Sequence, residues 1–508
     1  MVELARRMVL GGAVAGVLAR VAPARALVVA VPDAAIIGWP SDIVGWDPNL
    51  RALPGAQPLY KLVFDQPLDL DPRLTLAASL FSQWELAPDA KSLTAELRED
   101  VRFHNGDRLT SADVHWTFVG RGRAGHKTDL ATSWQHLVDI ETPTDTRVIL
   151  RFDAPAPTAP IRLADIGAFV VPKDYMEQAG PEKFAAKPIG TGPYKLVDAV
   201  PDGQIVLERN DAYWGPKPKL KRIDIDIIRE PEARAAAVEA GRIDLTIDVP
   251  VRDVTRLATM PALAAELAPI TRMILLQIRG DLGFADPDIR LAAHHAIDKA
   301  ALSRAVYGGA AIPISVPATP GTPGYVDDEV FAHDPVLARQ LLAKSGHGPQ
   351  HPVRIRLGST NGQFPGDIDL ARAIMQMWQA VGIAAELEVI EYTKYAELNR
   401  ANYLPEATLF SWDNPTGDPQ QYAGILLNPQ LSYSAWKDPA LGQKMIDLSA
   451  VTDEQARLAG WRALDREATE SGATIPLLQG VQSVVRKKTL GYTKYRNGWM
   501  LGQTMGWS

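Results

Sequence analysis

Apolar and polar positions alternate most cleanly between Lys221 and Arg229, where Ile223, Ile225 and Ile227 fall on one side and Asp224 and Asp226 on the other. A period of two predicts a half-buried strand, with the aspartates as its solvated face. After Asp286-Pro287 the period becomes helical: Ile289, Ala293, Ala296 and Ile297 line one face. Asp286 is placed to cap that helix, Pro287 to open it, and Gly308 lies just past the end. Asp334-Pro335 to Ser345-Gly346 repeats the same logic as a second capped helix. Leu97, Val101 and Phe103 alternate with polar residues and predict a strand running into a turn at Asn105-Gly106. Thr110-x-x-Asp113 then has the spacing of a capping box that opens a helix. Gly190 and Gly192 bracket Thr191 before Pro193, a pattern that fits a tight inter-strand turn better than a ligand-contacting loop.

A chain of 508 residues, 46% hydrophobic and 22% charged, is ordinary globular material for two to four domains. Its net charge of −7 argues against a nucleic-acid partner, which would need a basic face. Arg6-Arg7, the short apolar run Met8 to Ala19 and Ala24-Arg25-Ala26 read as a removable export signal over 1–26. The paired arginines resemble a twin-arginine signal, with an ordinary secretory signal as the alternative. The chain has no cysteine. That excludes disulfides, thiolate metal sites and attachment through a lipidated cysteine, so the expected location is the periplasm, in free solution.

Catalytic fingerprints are missing: neither Gly-x-Ser-x-Gly nor His-Glu-x-x-His occurs. His294-His295 is no chelating pair, because adjacent helical residues point to different faces. No cofactor and no metal site are therefore expected. A secreted hydrolase using carboxylates such as Asp413 and Asp418 is the enzymatic alternative, and a weak one.

Two stretches, Leu97-Arg98-Glu99-Asp100-Val101-Arg102-Phe103-His104-Asn105-Gly106-Asp107 and Pro188-Ile189-Gly190-Thr191-Gly192-Pro193-Tyr194, resemble signature segments of the family 5 extracellular solute-binding proteins. Three further segments resemble the family in the right order: Ala233 to Leu245, Asp288 to Lys299, and Ile475-Pro476-Leu477. The resemblance implies an α/β fold of two hinged lobes, of the type II periplasmic kind, with an extra domain inserted in the first lobe. Mapped here, lobe I is discontinuous (27–57, 182–275 and 484–508), the inserted domain is 58–181, and lobe II is 276–483. It also implies a monomer that traps a peptide or other small solute and passes it to an ABC permease in the inner membrane. A chemosensory protein that presents its ligand to a receptor would share this fold.

Peptide-binding relatives meet the ligand's amine with an aspartate three residues after a tryptophan. Here that loop reads Ser411-Trp412-Asp413-Asn414-Pro415-Thr416-Gly417-Asp418-Pro419, with Pro415 at the aspartate's place. A second segment, Thr360-Asn361-Gly362-Gln363-Phe364, carries Gln363 where many relatives have arginine. Proline cannot take a charge, and an amide cannot neutralise one. Both departures point away from an ordinary dipeptide and toward a neutral, capped or larger ligand. The resemblance leaves Trp412, Asp413, Asn414, Gln363 and Asn361 as candidate ligand-binding residues, with Asp413 able to stand in for the missing acid.

Overall fold

The structure is a computed structural model that describes residues 32–508 apart from 44, 51–53, 123–127, 129, 328–330 and 432–433. The expected export signal, 1–26, lies outside the described residues. One sheet of eleven strands runs through the molecule. Ten of them follow in the order Ile383–Val389, Val353–Ser359, Ala407–Asp413, Leu263–Ile278, Thr474–Lys487, Leu245–Ile247, Ala34–Trp39, Arg222–Ile227, Gln204–Arg209 and Tyr194–Ala199, and the short Ile312–Pro313 adds to Thr474–Lys487.

Two strands are far longer than the rest, Leu263–Ile278 and Thr474–Lys487, and they pair antiparallel with each other. Each passes through two hydrophobic cores. Ile274, Leu276, Ile278, Ile475 and Leu477 pack with Leu357, Ile374, Trp378 and Leu409 in one lobe. Val484 packs with Ile37, Ile223, Ile225, Leu245 and Ile247 in the other. Their register shifts between Pro269 and Met273, where proline lacks the N–H a continuous ladder needs. Met273 and Leu275 already pack on second-lobe cores, so the chain changes lobes inside that irregular stretch.

A third core lies under a separate antiparallel sheet of four strands, ordered Phe81–Leu86, Ser92–Leu97, Arg147–Phe152 and Leu137–Thr144. It starts at Leu68 and includes Leu93, Val101, Phe103, Val114 and Leu150. Leu59 to Phe64 and Phe169, Met176 and Phe184 pack instead into the first-lobe core.

The local signals behave as their chemistry dictates. Asp286 caps helix Pro287–His295 by accepting from Asp288 N at 2.9 Å, and Gly308 ends the next helix at φ +60°. Thr110 and Asp113 form the capping box of helix Ser111–His115. The strand predicted through Phe103 stops at Leu97. Beyond it the backbone finds scattered partners, with Arg98 N donating to Leu80 O and His104 N to Gly190 O, so Val101 and Phe103 are buried without a ladder. His294 is buried with Nε2 at 3.0 Å from Thr474 O, whereas His295 Nδ1 meets Ala332 O at 2.9 Å.

The two signature stretches meet each other. Gly190 and Gly192 lie against the backbone of Val63: a Cβ at Gly190 would sit 2.0 Å from Val63 O, and one at Gly192 2.5 Å from Val63 C. Close approach, not positive φ, is what requires glycine there. His104 closes the junction from the other side, with Nε2 at 3.0 Å from Gly192 O. Half-buried Asp65 accepts from Thr191 Oγ1 (2.9 Å), Trp214 Nε1 (2.9 Å) and Tyr213 OH (3.2 Å).

Gly190→Ala must displace the Val63 carbonyl, and should cost about 3 kcal/mol or more in urea unfolding, at or above the upper end of ordinary overpacking. The junction also carries opposed titrations. Burial, helped by Lys195, pushes the His104 imidazole down to about 4 from 6.5. Between those values the unfolded chain binds the extra proton, so this contribution is lost as pH falls from about 6.5 to 4. Burial pushes the Asp65 carboxyl up to about 6 from 3.8, against the pull of its three donors. Its contribution has the other sign, present at low pH and lost as pH rises through about 6. His104→Gln should therefore flatten the acid limb of a stability–pH curve, by at most about 3 kcal/mol.

Candidate functional site

The strand Ala407–Asp413 pairs with Leu263–Ile278 so that Trp412 stands opposite Met273 and Asp413 opposite Arg272. A pleated strand sends neighbouring side chains to opposite faces. Trp412 accordingly packs on the second-lobe cluster that holds Met273, Tyr422 and Trp461, and its indole N–H donates to Gln421 O at 2.9 Å. Asp413 lies on the other face, where Oδ1 accepts from Arg272 Nε at 2.8 Å. The two leading candidates thus face different surroundings.

The other candidates are largely occupied with holding the backbone. Gln363 spans the peptide of Ser411, donating Nε2–H to Ser411 O (3.4 Å) and accepting from Ser411 N (3.3 Å). Asn414 accepts from Gly417 N at 2.8 Å and donates to Asp418 O at 2.9 Å, which shapes the loop after the strand. Asp418 is clamped by both Nη atoms of Arg457, at 3.1 and 2.5 Å. Asn361 is exposed. Pro415 offers its carbonyl to Asn497 Nδ2 at 3.0 Å, a contact between the second lobe and the C-terminal tail that packs on the first. Gln421 Nε2 reaches Asp165 Oδ2 in the inserted domain at 2.9 Å, so this loop region touches all three bodies.

Arg272 is the residue that sequence reasoning missed. It sits where the long strand changes lobes, its side chain only 13% exposed. Its aliphatic stem packs over Gly480, where a Cβ would meet it at 3.0 Å. Asp413 of the second lobe and Asp248, which follows first-lobe strand Leu245–Ile247, are its carboxylate neighbours. Burial raises the Asp248 carboxyl, with Arg272 and Arg234 pulling it back and Asp413 adding to the rise. Asp248 also holds φ at +51°, a left-handed conformation uncommon outside glycine. The available signal was an arginine set directly before the apolar run Met273 to Leu276. Among the described residues no group of three or more histidines and carboxylates is arranged to hold a metal ion.

Two α/β lobes that share one sheet, with a third body inserted in the first, form the fold of the two-lobed periplasmic binding proteins. The family model for bacterial extracellular solute-binding proteins, family 5, middle region, matches residues 75–433, well over half the chain, and the chain belongs to that family. It is 25% identical over 452 residues to di/tripeptide-binding protein 2 of Pseudomonas aeruginosa (strain UCBPP-PA14), covering 82% of this chain and 84% of that protein. It is 25% identical over 499 residues to the nickel-binding periplasmic protein of Escherichia coli K12, covering 92% and 93%. Among solved structures, NikA from Brucella suis in complex with Fe(III)-EDTA shares the fold at a TM-score of 0.83 and 22% identity, covering 94% of this chain and 100% of that one. Family members are binding components of transport systems, not enzymes. No helix among the described residues is long and apolar enough to cross a membrane.

Removing Arg272 leaves the shielded Asp248 carboxylate and the partly solvated Asp413 without their neighbouring cation, so Arg272→Met should cost about 3–5 kcal/mol in urea unfolding. Asp413, about a third exposed, is partly solvated, and Asp413→Asn should cost only about 1 kcal/mol.

Proposed function

We propose that this protein is the periplasmic capture subunit of an ABC importer, a monomer without a lipid anchor, that closes its lobes on a peptide-like or other small organic solute and delivers it to the inner-membrane permease. The observation that carries this reading is the pair of strand crossings at Pro269–Met273 and Val481–Val484. Both backbone segments run from one lobe core to the other, and one of them is irregular. Two short connections let the lobes rotate as bodies while each core stays intact. The relatives' names give different cargoes, di/tripeptides in one and nickel in another, so the family does not dictate the solute.

The candidate residues enter this reading with narrower roles than their types allow. Trp412 has given its N–H to Gln421, so it offers the face of its ring as an apolar wall. Asp413 offers its outer oxygen beside Arg272. Gln363 and Asn414 shape the second-lobe rim, and Asn361 lies at its exposed edge.

A trapped solute stabilises the closed form by RT ln(1 + [L]/Kd), about 2.7 kcal/mol at a hundredfold excess over Kd. The full chain should show that gain in thermal shift with its cargo, screened from di- and tripeptides, capped peptides and nickel–histidine. Trp412→Ala should reduce the gain. A protein that carries no solute from cells and gains no stability across the screen would overturn the capture role.

A further inference from the structure

At the crossing, the ion pairs leave one carboxylate without a hydrogen-bonded cation. Arg272 commits Nε to Asp413 at 2.8 Å. Arg234, the other guanidinium near Asp248, spends its N–H groups on main-chain carbonyls of Ile228, Arg229, Ile247 and Asp248 itself. Asp248 Oδ1 is shielded from solvent and accepts no hydrogen bond, and Arg272 Nη1 is shielded and donates none. A shielded carboxylate oxygen and a shielded guanidinium N–H in one charged cluster are costly unless something fills them. Asp248 is also held at positive φ, in the first-lobe segment that follows strand Leu245–Ile247 and lies beside the crossing, with its N–H on Ser483 O at 2.9 Å.

We infer that Asp248 and Arg272 form the polar end of the solute site, Asp248 taking an ammonium group and Arg272 Nη1 an adjacent carboxylate or amide carbonyl. This rests on the capture role proposed above and names its cargo class: a solute with an amine beside a carbonyl or carboxylate, such as a free amino-terminal peptide or an amino-acid conjugate. The assignment restores the negative counter-charge that Pro415 lacks and moves it from the second lobe to the first. An ammonium on Asp248 and Asp413 on Arg272 then leave each charge of the site paired. Because Asp248 belongs to one lobe and Asp413 to the other, with Arg272 between them, such a solute bridges the lobes at their hinge.

The test is to purify the full chain natively from a periplasmic extract, release its cargo by denaturation, and weigh it by mass spectrometry before and after dansylation of amines. The expected result is a discrete solute that takes up a dansyl group, recovered at least tenfold less from Asp248→Asn. Asparagine tolerates the left-handed conformation, and Asp248→Gly, which relieves it, serves as the second variant should the first melt early. A cargo without an amine, or equal retention by the folded variants, overturns the assignment and leaves the capture role standing. In the second case the shielded oxygen faces only water. A wild-type protein with no cargo and no thermal shift across the solute screen removes the capture role, and this inference with it.

Discussion

Everything in this molecule hangs on one antiparallel pair of strands, Leu263–Ile278 with Thr474–Lys487, that is shared between two hydrophobic cores. A ladder this long would stiffen the molecule into one body if it were regular. It is broken at Pro269–Met273, where register shifts and the strand leaves one lobe for the next. The break is also where Arg272 sits over Gly480, with acids from both lobes within its field. The lobe crossing and this charged cluster therefore share the same few residues. A guanidinium with a carboxylate on each side is sensitive to how far apart the lobes stand, because desolvated ion pairs depend steeply on geometry.

The segments most diagnostic of the family prove to be architectural. Gly190-Thr191-Gly192 lies on the Val63 backbone, His104 from the other signature reaches across it, and Asp65 gathers Thr191, Tyr213 and Trp214. This junction ties the inserted domain to the first lobe. In this chain both stretches answer to backbone contact and not to a ligand.

Much of the fold was legible in the chain, since periodicity and caps act locally. The Arg222–Ile227 strand, the caps at Asp286 and Asp334 and the capping box at Thr110 follow from residues within a few positions of one another. The strand expected through Phe103 was not obtained, because a ladder needs a partner and the partner here is a turn. The candidate site was legible only in part. Trp412 and Asp413 are adjacent in sequence, yet the pleat sends them to different faces. The amides of Gln363 and Asn414 turned out to be engaged with nearby backbone.

By itself the sequence determined the local strands and caps, the family and the absence of cysteine chemistry. All of these are properties of residue identity and local order. Tertiary structure decided which charges meet. Asp248, Arg272 and Asp413 are separated by long stretches of chain and come together only because two strands cross between lobes. No local pattern encodes such a meeting, since the energy of a buried charge depends on what the rest of the fold places around it.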